Sequence, residues 1–141
     1  MMVDGNFKII NWDDAGKTLH NIIGVHVKDL AELSHSNNKP QYCLKIDNWY
    51  DLYDLDIYRK ICANLSSKKK YIISDLSYSK DMGVFCIEDN IEPFISFYNS
   101  AYHEFIFEDD AFLIFPDEKK MIVYQHEGYY MLYTLPLTSF P

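Results

Sequence analysis

Three short apolar segments at the end of the chain constrain its fold more than any other feature. Residues 111–115 (AFLIF), 121–125 (MIVYQ) and 129–135 (YYMLYTL) are separated by the turn sequences PDEKK and HEG. Runs of β-branched and aromatic residues of this length, bounded by turn residues, are typical of strands. Connections this short join antiparallel neighbours, so the segment predicts part of an antiparallel sheet.

The rest of the chain predicts helices and further strands. Residues 91–105 repeat apolar side chains at helical spacing, and Pro93 falls in the first turn, where a missing N–H is tolerated. Weaker patterns predict helices within residues 15–34 and 49–65, with Gly24 either dividing the first or preceding a strand at Val25. Additional strands are predicted at residues 7–10, 41–46, 71–76 and 84–87.

This order of elements predicts an α+β fold. Because the chain has 141 residues, of which 48% are hydrophobic, it can bury one core. No linker or repeat divides it. We therefore expect a single domain over residues 1–141, with a mostly antiparallel sheet and helices packed on one face.

The negative charge is concentrated in one part of the sequence. Residues 81–141 contain 11 acids but only Lys119 and Lys120 as bases, whereas residues 1–80 carry a net charge of +1. An acidic half of this kind repels phosphates, so direct binding to nucleic acid or to an anionic membrane is not expected. It favours solubility, a basic partner, or both.

The cysteines and the N-terminus indicate a cytoplasmic protein. Cys43, Cys62 and Cys86 are far apart in apolar surroundings, which predicts buried free thiols in a reducing compartment. The N-terminal residues lack the pattern of a signal peptide, and no apolar run approaches 18 residues.

Sequence signatures of catalysis are missing. The chain contains no GxxxxGK[ST], GxGxxG, GxSxG or HExxH. His103 and His126 are most simply explained as a residue at a helix end and a residue in a turn, and Lys68–Lys70 as a solvated loop rather than a phosphate site. We expect no catalytic residue, no cofactor and no metal.

Carboxylates bracket the first C-terminal strand in the stretch EDDAFLIFPDE, residues 108–118. They are contiguous and lack the spacing of a calcium loop or of a facing acid–base pair, so a binding surface is the favoured interpretation. Aromatic side chains supply contact area that loses water on binding, and carboxylates steer a basic partner. The candidate contact residues are Glu108, Asp109, Asp110, Asp117, Glu118, Glu127 and Tyr130.

In size, acidity, Tyr content and lack of a catalytic motif, the chain resembles bacterial immunity proteins. These small cytosolic proteins neutralise polymorphic toxins, including those of contact-dependent growth inhibition. The resemblance is one of general character and carries over no residue. It implies a protein that binds a cognate toxin domain, often a basic nuclease, and blocks its active site or another essential surface. A monomer or weak dimer is expected.

Two other functions remain open at this stage. An acidic decoy from a phage or plasmid would imitate DNA, but it requires carboxylates over most of the surface, and the first 80 residues are nearly neutral. A small hydrolase would require two facing carboxylates, or a Cys/His pair, with perturbed pKa values in a pocket.

Overall fold

The computed structural model describes residues 2–3 and 7–138, and these residues form one eight-stranded sheet. Every neighbouring pair of strands is antiparallel. The strands are β1 (Met2–Val3), β2 (Phe7–Ile10), β3 (Tyr42–Lys45), β4 (Lys70–Ile73), β5 (Val84–Ile87), β6 (Ala111–Phe115), β7 (Lys120–Gln125) and β8 (Tyr129–Thr134). Their order across the sheet is β1-β2-β5-β4-β6-β7-β8-β3.

Helices and 3-10 segments connect and cover the strands. The α-helices are α1 (Trp12–Ile23), α2 (Asp54–Ile61), α3 (Asp75–Ser79) and α4 (Glu92–Tyr102). The 3-10 segments are Val27–His35, Trp49–Asp51, Ile106–Glu108 and His126–Gly128. The predicted α+β class, the mostly antiparallel sheet and the single domain are confirmed.

The sheet is covered on both faces, so the expectation of helices on one face is wrong. Leu113 points into a core completed by α2 and α4, whereas its neighbour Ile114 points into a second core completed by α1 and residues 27–35. Successive residues of a strand face opposite sides. Since strands β4 and β5 are buried at every position, apolar side chains emerge on both sides and each side requires its own cover.

The first helix begins and ends where its capping residues predict. The Asn11 side chain accepts a hydrogen bond from the Asp14 N–H at 2.8 Å, which caps α1. Gly24 ends the helix with a φ of 91°, and a Cβ there would lie 2.5 Å from the Leu137 carbonyl oxygen. Gly24 therefore divides the predicted segment, and a 3-10 segment follows instead of a strand at Val25.

Three other details differ from the sequence prediction. The segment predicted as one helix over residues 49–65 is a 3-10 turn followed by the shorter α2, which buries Ile57 and Ile61. The strand predicted over residues 71–76 ends at Ile73, because α3 begins at residue 75. Cys43 is exposed on the edge strand β3, whereas Cys62 and Cys86 are buried, and burial raises the pKa of both thiols.

Truncation of either Leu113 or Ile114 to Ala should destabilise the fold by about 2–5 kcal/mol, because each side chain is fully buried in its own core. Chemical denaturation of L113A and I114A measures the change in unfolding free energy. L44A is the matched control, since Leu44 is 49% exposed. A near-neutral result for one of the two buried positions would contradict burial on both faces.

Candidate functional site

The predicted contact acids lie at opposite ends of strand β6. Glu108, Asp109 and Asp110 precede the strand, whereas Asp117 and Glu118 lie in the turn that follows it. A strand of five residues separates the two groups by about 17 Å. The acids therefore form two separate clusters and not one continuous surface.

Glu118 already has hydrogen-bond partners within the chain. Its carboxylate accepts backbone N–H bonds from Ser66 at 3.0 Å and from Ser67 at 2.9 Å, as well as a bond from the Ser67 hydroxyl. Desolvation raises its pKa, but these hydrogen bonds outweigh that effect and the pKa lies below its ordinary value. Glu118 thus holds the loop after α2 against the β6–β7 turn.

Asp110 makes hydrogen bonds at the end of the β6–β7 pair that lies away from Glu118. It accepts a hydrogen bond from the His126 backbone N–H at 2.9 Å, and its carboxylate lies 2.9 Å from Nδ1 of the same residue. Partial burial raises the pKa of the neighbouring Asp109, and the charges of Asp75 and Glu108 raise it further. Glu127 is exposed beside His126, with a positive φ of 76°.

Tyr130 does not lie among acids as the sequence suggested. It is half-buried at the edge of the sheet, where its ring centroid is 6.2 Å from that of Tyr42. The depression that it lines also contains Lys45, Arg59 and Lys60. Its surroundings therefore contain three basic residues and one acid, Asp47.

A different set of aromatic residues lies beside acids. Tyr50, Tyr53 and Phe105 are 68%, 71% and 44% exposed, and they line one groove of about 390 Å³. This volume is in the usual range for ligand sites, about 300–1,000 Å³. We call it the aromatic groove, and its lining residues are Trp49, Tyr50, Asp51, Leu52, Tyr53, Asp54, Ile57, Phe105, Phe107 and Glu108.

The two walls of the aromatic groove are joined by a buried carboxylate. Asp54, at the start of α2, is 2% exposed. It accepts backbone hydrogen bonds from Ile106 at 2.7 Å and Phe107 at 3.1 Å, and a side-chain bond from Asn99 at 2.9 Å. A buried charge is stable only when it is paired or hydrogen-bonded, so these donors fix residues 105–108 against α2.

A carboxylate lies beside each exposed ring: Glu108 lines the groove, and Asp56 lies next to its lining residues on α2. The Tyr53 backbone N–H donates to Asp56 at 3.2 Å, and the Phe105 N–H donates to Glu108 at 3.3 Å. The Tyr53 and Phe105 rings form a tilted pair, with centroids 6.3 Å apart and an interplanar angle of 52°. The groove thus combines aromatic surface with carboxylates held by the backbone.

Folding neutralises part of the acidic half but leaves the groove negative. Glu92 pairs with Arg59 at 2.8 Å, and Asp81 and Glu88 each lie 3.9 Å from a lysine of the first half. Asp51, Asp56, Glu104 and Glu108 have no ion-pair partner within the described part of the chain. Negative charge therefore persists on and beside the groove walls, as it also does at Asp109, Asp117 and Glu127.

Sequence reasoning identified Glu108 but missed the aromatic residues of the groove. The helix predicted over residues 49–65 rests on its apolar stripe, which runs from Leu52 to Leu65 and does not include Tyr50 or Tyr53. Both tyrosines lie outside that stripe, in the run WYDLYD, where each tyrosine is followed directly by an acid. Tyrosines directly followed by acids were the available signal in the sequence.

Residues 2–3 and 7–138 contain neither a metal-binding cluster nor a membrane-crossing helix. No group of three or more His, Cys, Asp or Glu side chains there could hold a metal ion. No helix of that part is long and apolar enough to cross a membrane. Comparison of the chain with protein-family models, curated proteins and solved structures finds no match.

Replacing Asp54 by Asn should lower the free energy of unfolding by about 1–3 kcal/mol. The amide places an NH₂ group against at least one of the N–H donors, which is then left buried and unsatisfied. Urea denaturation measures the loss. D51N is the matched control, because Asp51 is exposed and accepts no hydrogen bond in the structure. Equal stability of the two variants would contradict the role of Asp54.

The pKa of His126 should lie above its ordinary value of 6.5, because Asp110 hydrogen-bonds and attracts the imidazolium. The stability contributed by this contact is present below pH 6.5 and is lost as the pH rises through the raised pKa. NMR titration of the imidazole should show a lower pKa in D110N and no change in D117N. An unchanged pKa in D110N would assign the shift to Glu127 and Asp109.

Proposed function

We propose that the protein is an immunity protein that binds a cognate bacterial toxin domain and neutralises it. The observation that carries this proposal is the aromatic groove, which exposes Tyr50, Tyr53 and Phe105 beside acids without ion-pair partners. Aromatic side chains that lose water on binding dominate the affinity of protein interfaces. In the free protein, the exposed parts of these rings add little to the core.

The net charge of −8 favours a basic partner. A toxin domain that cleaves nucleic acid must itself attract phosphates, and it therefore presents a positive surface. Carboxylates on the groove walls would occupy that surface in place of the nucleic acid. Long-range attraction also accelerates the encounter of the two proteins. This mechanism requires no cofactor and no direct contact of the immunity protein with nucleic acid, and it operates in the cytoplasm.

The two alternatives find less support in the geometry. A DNA-imitating decoy would need acids over most of its surface, whereas Lys45, Arg59 and Lys60 line one of its depressions. A hydrolase using the groove would need a free buried carboxylate, but Asp54 already accepts three hydrogen bonds.

The test is co-expression of the protein with a toxin domain encoded by a neighbouring gene, followed by co-purification, calorimetry for the affinity and stopped-flow mixing for the association rate. We expect a stable complex whose association rate falls as the salt concentration rises. Y53A should weaken it by more than about 1 kcal/mol, because a central aromatic contact is lost. Failure of the pair to form a complex would overturn the proposal.

Charge reversal locates the docking surface. E108K should weaken the complex about tenfold or more, because Glu108 lines the groove. D117K is the matched control: it changes the net charge equally, but its residue lies beyond the far end of β6. Equal effects of the two variants would indicate general steering rather than docking at the groove.

A further inference from the structure

We propose that the aromatic groove holds an arginine side chain of the partner, with the guanidinium against the Tyr53 and Phe105 rings and its N–H groups directed at Glu108 and Asp51. This inference rests on the proposed function in taking the occupant of the groove to be part of another protein. It specifies the chemical group that the groove recognises.

Groove size favours a single side chain as the occupant. Its volume of about 390 Å³ is near the lower end of the range for small-ligand sites. The rings of Tyr53 and Phe105 both line the groove, and their centroids are 6.3 Å apart. A folded segment of the partner would have to rest on the rim, while one of its side chains enters.

The lining chemistry favours a cation. Aromatic ring faces attract positive charge within about 6 Å of the centroid, and the attraction strengthens as water is excluded. Trp49, Tyr50, Tyr53 and Phe105 all line the groove, and Trp49 and Tyr50 contact each other with centroids 5.7 Å apart. The groove therefore offers several aromatic contacts to one cation.

Two carboxylates favour arginine over other cations. Asp51 and Glu108 line the same groove and have no ion-pair partner in the described residues. The backbone N–H of Phe105 holds Glu108 in place at 3.3 Å, so this acid does not have to be ordered on binding. A guanidinium can stack on a ring and donate hydrogen bonds from its edge at the same time, whereas an ammonium is a compact, strongly hydrated charge.

The described basic side chains of the protein lie outside the aromatic groove, and several of them contact other residues. Arg59 pairs with Glu92, Lys45 lies over Tyr129 at 5.0 Å and Lys28 lies over Trp12 at 5.5 Å. None of the described Lys or Arg residues lines the aromatic groove. The groove is thus a cation-binding surface that the chain leaves unfilled.

The experiment uses two capped tripeptides, acetyl-Gly-Arg-Gly-amide and acetyl-Gly-citrulline-Gly-amide. Citrulline has nearly the same shape as arginine but no charge. Each is titrated into the protein and followed by the NMR shifts of the Tyr53, Phe105 and Glu108 amides. We expect the arginine peptide to bind with a Kd of about 1–10 mM and the citrulline peptide about fivefold or more weakly.

Variants separate the aromatic contribution from that of the carboxylate. Y53L keeps apolar area but removes one ring face, and E108Q removes one charge while keeping an oxygen for the Phe105 N–H. Each should weaken the arginine peptide about threefold to tenfold. Y129L is the matched control, because Tyr129 is an exposed aromatic that does not line the groove, and it should bind the peptide like the unaltered protein.

The results distinguish failure of the arginine site from failure of the proposed immunity function. Equal shifts with both peptides, or no shift of the groove amides, would overturn the arginine site even if a toxin domain binds. Arginine-selective shifts without any toxin complex would support the arginine site and overturn the immunity function.

Discussion

Strands β4, β5, β6 and β7 are apolar on both sides, so water has to be excluded from both faces of the sheet. The chain meets this requirement with two separate covers. The first, α1 with residues 27–35, comes early in the sequence, whereas α2 and α4 follow later and share the opposite face. The aromatic groove lies where α2 meets the 3-10 segment after α4, and its position therefore follows from how that face is covered.

Asp54 fixes the contact between α2 and the 3-10 segment that follows α4. A charge at 2% exposure carries a high desolvation cost, which three N–H donors offset. Two of these donors belong to the backbone of residues 106 and 107, so the carboxylate fixes main chain and not only side chains. The neighbouring rings of Tyr53 and Phe105 are positioned as a consequence.

The sequence predicted those parts of the fold whose signals are local. The strands at residues 7–10 and 111–115 and the Pro93-initiated helix were found because short apolar runs bounded by turn residues, and apolar side chains at helical spacing, are properties of short segments. The cover on the second face was missed because it depends on how distant elements pack. The exposure of Cys43 was missed for the same reason, since an apolar neighbourhood in sequence does not reveal that β3 is an edge strand.

The sequence predicted the residue types of the candidate site but not where in the fold they come together. Aromatic residues next to carboxylates were expected, and Glu108 was among the expected residues. The partners of the acids could not be read from sequence: Glu118 binds Ser66 and Ser67, and Asp110 binds His126. The groove itself depends on a contact between residues 54 and 106, which are 52 positions apart.

Asp54 is buried whereas the rings around it are exposed, and this difference determines which positions of the groove can change in evolution. The main chain of the groove is fixed by a buried carboxylate, but the Tyr50 and Tyr53 side chains project largely into solvent. Substitutions at such positions usually alter stability by less than about 0.5 kcal/mol. If the groove docks a partner as proposed, its ring and acid side chains can therefore change from one lineage to another, and with them the partner, on an unchanged scaffold.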